Sequence, residues 1–177
     1  MLVDWEIREC IEHTGEIKID PYDPALIGPC SLDFRLGEDY GFLELTYKEL
    51  YVDPLDKDTF KFTYGKAQEY FIKPQESVLV SMLERLEIAD NIAAKIVGRS
   101  SIGRLGLFNS QHAGLADSGW AGVLTLELTN VSKFKIKLTK GMKIGQLVFH
   151  RTEQAEKPYG EVGRYQNQKS GFGSLGV

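Results

Sequence analysis

Only two cysteines, Cys10 and Cys30, and three histidines, His13, His112 and His150, occur in 177 residues. The cysteines have no metal-type spacing and read as two reduced thiols, and histidines this scattered build no metal motif. Positive charge is also short. The formal net charge is -4, so the chain lacks the global basic field that drives nonspecific nucleic-acid binding, and an anionic ligand must be held by local arginines, lysines and backbone N–H groups. No window approaches the length of a membrane span. The N-terminal "MLVDWEIREC" is acidic and has no apolar run, so no signal peptide is expected and the chain reads as cytoplasmic. H-E-x-x-H, G-x-S-x-G and the dinucleotide fingerprint are all missing, as is the lysine a Walker loop requires.

What is present is a composition with 42% hydrophobic and 26% charged residues, suited to one globular domain with a real core. The first element reads as a short helix, capped by Asp4, with Ile7, Cys10 and Ile11 on its apolar face and Gly15 as its stop. After "DPYDP" the period becomes two. Leu32, Phe34 and Leu36 alternate with Ser31, Asp33 and Arg35, and the same alternation recurs at Phe60, Phe62 and Tyr64 and at Phe134, Ile136 and Leu138. "ESVLVSML", "NIAAKIV" and "IGQLVFH" read as strands buried on one or both faces. Turns are expected at Gly37, Asp53-Pro54, Gly65, Lys73-Pro74, Gly122 and Gly141. Many short strands with few helices predict a mainly β sandwich, jelly roll or distorted barrel. The domain is assigned to residues 1–156. Residues 157–177, glycine-rich and poor in apolar side chains, read as a flexible C-terminal arm that orders on a ligand or a neighbouring subunit.

Two stretches carry candidate chemistry. In "GVLTLELTN" Leu124, Leu126 and Leu128 face one side of a strand, and Thr125, Glu127 and Thr129 the other. Glu127 is the only charge between Asp117 and Lys133. A partly buried carboxylate in that position suits a general base. In "GRSSIGRLGL" Ser100 and Ser101 are expected to cap a helical turn near Ile102. A helix start favours anions, and Arg99 and Arg104 would add charge-assisted bonds, so phosphate is the natural guest.

These stretches, in their order and spacing, resemble the dCTP deaminases of the dUTPase-like superfamily. "GEIKIDPYDPALIGPCSLDFRLG" resembles that family's opening, "GRSSIGRLGL" its phosphate motif, "AGLADSGWAGVLTLELTN" its substrate and catalytic motif, "GMKIGQLVF" the strand that follows, and "PYGEVGRYQNQKSG" its closing arm. The resemblance implies a distorted jelly-roll or β-barrel with a short N-terminal helix. It implies a homotrimer with shared active sites that acts on dCTP, takes the triphosphate with Mg²⁺ bound through it, uses no zinc, and supplies dUTP to pyrimidine deoxynucleotide metabolism with dTTP as a regulator. The zinc-deaminase pattern, H-x-E with P-C-x-x-C, is indeed absent.

Residue by residue, the resemblance makes Glu127 the proton relay while water adds to C4 of cytosine and ammonia leaves. Arg99, Ser100, Ser101, Ile102, Gly103 and Arg104 would line the triphosphate and water site. Ser100, Arg104 and the Ala113 carbonyl would anchor the water. Asp117 would meet the deoxyribose 3′-hydroxyl, and Thr125, Leu126 and Glu127 the cytosine edge. Gln146, Tyr159, Arg164 and Gln168 match nucleotide contacts, with arginine where lysine is common at position 164. Phe172, in "SGFGSLG", matches the glycine-rich closing motif of dUTPases, whose phenylalanine covers the base.

Departures from the family pattern are His112, where threonine is frequent, and Ala116, where isoleucine or valine is usual. They bear on base contacts and regulation. Two competing readings stay open. A dUTPase or bifunctional enzyme would release dUMP and diphosphate, with Asp117 orienting the water that attacks the α-phosphate. A nucleotide-sensing protein would bind without turnover. Glu127 favours deamination, because dUTPases usually carry an apolar residue there, whereas the closing motif favours the bifunctional reading.

Overall fold

The structure, a computed structural model, describes residues 1–46, 51–109, 114–170 and 173–174. Helix α1 (Asp4–Glu9) runs into a π-helical turn, Cys10–Thr14, that stops at Gly15 with φ +70°. Strands β1 (Ile17–Asp20), β2 (Ile27–Gly28), β3 (Ser31–Leu45), β4 (Phe60–Lys66), β5 (Glu69–Ile72), β6 (Ser77–Ile88) and β7 (Ile92–Gly98) follow. The short helix α2 (Ser100–Gly103) leads to β8 (Leu107–Asn109), β9 (Leu115–Ala116), β10 (Ala121–Asn130), β11 (Ile136–Thr139) and β12 (Lys143–Arg151), and α3 (Tyr159–Val162) opens the arm. The mainly β expectation holds. Among the described residues ten strands form one curled sheet in the order β8-β10-β6-β3-β12-β7-β9, with β1 on β6 and both β2 and β4 on β3. Strands β5 and β11 pair separately. Among the described residues no helix is long and apolar enough to cross a membrane.

Alternating side chains explain most of the sheet. Leu32, Phe34 and Leu36 of β3 are buried together with Leu126 and Leu128 of β10, and they meet Leu147 and Phe149 of β12 in one core. Sequence and structure part at several places. Asp4 lies inside the first turn of α1, and the cap is Val3, whose N–H donates to Glu6 Oε2 at 3.0 Å. Phe134 stands exposed, because the turn before β11 is wrapped around fully buried Asn130, whose Nδ2 donates to the carbonyls of Ile72 and Phe134. Gly37, Gly65 and Gly122 sit within strands, not turns. At Gly37 a Cβ would come within 2.2 Å of Ser81 Oγ, so glycine here permits close approach of β3 to β6.

Burial of charge was the least expected feature. Glu84 of β6 is fully buried, and it accepts from Arg35 Nε at 2.6 Å and from the Arg35 backbone N–H at 3.0 Å. Both groups lie just beyond the Leu36–Met82 pair, next to the stretch where the β3–β6 register slips between Leu36 and Tyr40. Removing one partner of a buried pair leaves an uncompensated charge, at a cost of about 3–5 kcal/mol. Arg35→Met should therefore lower the urea midpoint by that free energy at fixed protein concentration and unchanged slope, and a loss under about 1 kcal/mol would show that the pair is not a structural tie.

A second carboxylate anchors the N-terminal region. Glu16 accepts from both Arg151 guanidinium nitrogens, at 2.7 and 3.1 Å, and from Asn91 Nδ2 at 3.1 Å and Thr14 Oγ1 at 3.0 Å. The Arg151 bond above all, then those from Asn91 and Thr14, pull its carboxyl down to about 2. An unfolded glutamate titrates near ~4.3. The folded value is the lower one, so this contribution is complete above the unfolded value and is lost as pH falls towards the folded one. Stability of wild type and Glu16→Gln should accordingly converge between about pH 5 and pH 2 in denaturant titrations. A gap that stays constant over that range would refute the linkage.

Candidate active site

Strand β10 builds the site from its two faces. Its leucines are buried, while Thr125 is half-buried and Glu127 exposed on the opposite face. The partial burial expected for Glu127 is thus absent from the single chain. Gly119, at φ +82°, turns the backbone between β9 and β10, with the Trp120 N–H donating to the Asp117 carbonyl at 3.0 Å. Asp117, Thr125 and Glu127 line one cavity of about 480 Å³, together with Trp120, Tyr159 and Gln168. Ile96, Leu124 and Phe62 add apolar wall. Trp120 is buried against Tyr159, ring centroids 5.0 Å apart, and its indole N–H is a buried donor with no hydrogen-bond partner among the described residues. The cavity therefore offers two carboxylates, a hydroxyl and aromatic surface, a set suited to a polar heterocycle with a sugar attached.

The arm forms one side of this cavity. Its described residues are seated on the chain itself. The Asn167 N–H donates to the Ala121 carbonyl at 2.7 Å, and the Val123 N–H to the Gln168 carbonyl at 2.8 Å. Gln168, 7% exposed, forms a parallel bridge with Gly122. A Cβ on Gly122 would lie 3.0 Å from the Gln168 nitrogen, and its φ of +149° suits glycine alone. Composition suggested too little apolar surface for packing, but main-chain bonds and the carboxamides of Gln166 and Gln168 supply the seat instead.

A second group gathers around Asp33, which is buried on β3. Its Oδ1 accepts from Gln146 Nε2 at 3.1 Å and lies 3.6 Å from Arg99 Nε, while Lys143 Nζ is 3.2 Å from Oδ2. Gln146 Nε2 also donates to Ser31 Oγ at 3.1 Å. Arg99, Ser100, Ile102 and Gly103 line a separate concavity of about 300 Å³. Arg99 is the N-cap of α2, so Ser100 and Ser101 lie within the turn and do not cap it. Two cations balanced by one carboxylate leave net positive character there for an anion.

Of the residues singled out from sequence, Asp117, Thr125, Glu127, Tyr159 and Gln168 thus share the first cavity, and Arg99, Ser100, Ile102 and Gly103 the second. Gln146 joins the second group through Asp33. Ser101, Arg104 and Arg164 are exposed and line neither. Leu126 is fully buried, which leaves only its backbone to a ligand. Ala113, His112 and Phe172 lie outside the described residues. Sequence reasoning missed Asp33 and Lys143, whose alternation looked like an ordinary solvated face, and Trp120, whose neighbours gave no apolar period. Among the described residues no three His, Cys, Asp or Glu side chains converge as a metal cage.

Comparison with known proteins gives a consistent picture. The family model described as dCTP deaminase-like matches residues 1–152. A protein of Methanoregula boonei named "dCTP deaminase, dUMP-forming" is 44% identical over 161 residues, covering 90% of this chain and 86% of its own. One of the same name from Thermobifida fusca is 42% identical over 176 residues, covering 96% and 89%. Among solved structures, the 2′-deoxycytidine 5′-triphosphate deaminase of Agrobacterium tumefaciens superposes with a TM-score of 0.62 at 22% identity. That likeness covers 85% of this chain but 47% of the other, so the chain spans about half the length of that protein, and it speaks to fold alone.

The seat of the arm makes a prediction independent of any ligand. Gly122→Ala forces a side chain towards Gln168 and a φ that alanine avoids, at a local cost of about 1–3 kcal/mol. Amide exchange at Asn167 and Gln168 should rise at least about fivefold, corresponding to the low end of that range. Unchanged exchange there would mean that the arm is held elsewhere.

Proposed function

The chain belongs to the dCTP deaminase-like family, and from that membership we propose that it is an enzyme that hydrolyses the exocyclic amine of dCTP, with Glu127 as its proton relay. The single observation that carries the reading is the shared cavity, which holds Asp117, Thr125 and Glu127 beneath the arm. Glu127 takes a proton from water as the oxygen adds to C4 of cytosine, and passes it to the ring N3. A second transfer carries the C4 hydroxyl proton through Glu127 to the exocyclic nitrogen, the C4–N bond breaks, and ammonia leaves as the carbonyl forms at C4. Glu127 ends as it began. General-base help of this kind contributes ~10²–10⁴-fold, and positioning and electrostatics supply the remainder.

The first product is dUTP. A further step to dUMP and diphosphate is supported by the relatives named dUMP-forming and by the position of Asp117 in the same cavity. Asp117 would then orient a second water towards the α-phosphorus, and the bond to the bridging oxygen of the leaving diphosphate would break. Mg²⁺ is expected to arrive on the phosphate oxygens, where it would neutralise charge. The residues present fit that role, since the Asp33 region offers Arg99, Lys143 and one carboxylate in place of a carboxylate cage for a bare ion.

The split of the site supports an assembly of several copies. The two groups line separate concavities in one chain, and exposed apolar side chains stand beside each, Leu115 at the first and Phe108 at the second. A homotrimer with shared sites would cover these surfaces and join a base pocket to a phosphate pocket. Light scattering should give about three times the 19.9 kDa chain mass. A monomer fully active at dilute concentration would exclude shared sites.

Incubation with dCTP and Mg²⁺, with ammonia, dUTP, dUMP and diphosphate all quantified, tests the reading directly. Ammonia with dUTP alone supports simple deamination, whereas ammonia with equal dUMP and diphosphate supports the bifunctional route. Glu127→Gln should bind nucleotide within about tenfold of wild type and release ammonia at least ~10²-fold more slowly. Near-normal release would remove Glu127 from the mechanism.

A further inference from the structure

The contact between the arm and β10 has a polarity that hydrogen-bond chemistry dictates. Gln168 Nε2 lies 3.1 Å from the Val123 carbonyl and 2.5 Å from Thr125 Oγ1. A carbonyl only accepts, so the group facing Val123 is the amide nitrogen, and its second hydrogen goes to the Thr125 hydroxyl. Thr125 is therefore the acceptor. The pair is buried on the arm side, since Gln168 is 7% exposed, and a buried carboxamide that loses one acceptor is penalised. Thr125 also stands two residues from Glu127 on the same face of the strand.

We infer that Thr125 is a positioning residue: through Gln168 its hydroxyl clasps the arm against β10, so that the strand carrying Glu127 also sets how firmly the cavity is closed. Backbone bonds from Asn167 to Ala121 and from Val123 to the Gln168 carbonyl seat the arm from the other side of the same residue. Release of Gln168 would loosen Tyr159 and Tyr165, which the arm contributes to the cavity wall. The clasp itself is a property of the fold; its effect on turnover rests on the deaminase reading above.

Two near-isosteric variants separate the hydroxyl from the shape. Thr125→Val removes the acceptor, and Thr125→Ser keeps it. In nucleotide-free protein, amide exchange of Val123, Asn167 and Gln168 should quicken about threefold to tenfold in the valine variant, the range a single neutral hydrogen bond supports, and stay near wild type in the serine variant. KM for dCTP should rise by a similar factor in the valine variant, kcat should fall by less than KM rises, and serine should restore both. Unchanged exchange in Thr125→Val overturns the clasp, and so does equal loosening in Thr125→Ser. Loosening without any change in KM overturns the link to substrate. The exchange measurement needs no turnover, so a wild-type protein that releases no ammonia from dCTP would refute the functional reading and leave the clasp to be judged separately.

Discussion

The buried pair of Glu84 and Arg35 is the tie on which the arrangement of the site depends. A carboxylate with no solvent contact survives only where its charge and lone pairs are matched. Here one oxygen meets the guanidinium and the other a backbone N–H of the same residue. Strand β6 lies between β3 and β10 in the sheet, and β3 between β6 and β12. The pair joins β3 to β6 next to the place where their register slips. Asp33 stands two residues before Arg35, and the partners of Thr125 and Glu127 across β10–β6 are Ser81 and Leu79. One ion pair therefore relates the cluster around Asp33 to the strand that carries Glu127.

Much of this was legible in the sequence wherever a period decided the outcome. Strand β10 is the clearest case: three leucines at alternate positions dictate which face is buried, and Glu127 falls on the other by geometry alone. The helix stop at Gly15 was equally plain, for a left-handed residue is what glycine supplies best. Tertiary choices were hidden. Gly37 reads as a turn from its identity, and only the approach of Ser81 explains its presence in a strand. Asp33 falls on the face that alternation assigns to solvent, Glu84 places a charge on the apolar face of β6, and their partners lie 49 residues or more away in sequence. The serines after Arg99 looked like caps because local pattern cannot tell a residue before a turn from one inside it.

The two concavities show how sequence neighbours divide in space. Asp117 and Thr125 follow Arg99 to Gly103 closely along the chain, yet the first pair faces the arm and the second stretch faces β8 and β12. Extended strands carry residues apart quickly, by about 3.3 Å for each position. A motif compact in one dimension is thus spread over the surface of the sheet. Family membership rests on the whole chain to residue 152, whereas the cavity gathers Asp117, Thr125 and Glu127 from β10 and the turn between β9 and β10.

The parallel seat of the arm beside Gly122 has a consequence for how this protein can vary. Main-chain hydrogen bonds are indifferent to the side chains that accompany them, and such bonds fix the arm at Tyr159, Asn167 and Gln168. Gln166 and Gln168, whose carboxamides bond to β10 and the turn before it, Tyr159, packed on Trp120, and the small residues that permit close approach are constrained by the docking; the exposed positions between them are not. Exposed positions such as Glu161 and Lys169 can be rewritten in charge without moving the backbone beneath. The arm is thereby the part of the molecule where drift or redesign can retune the electrical surroundings of the cavity mouth while the sheet and its buried tie stay as they are.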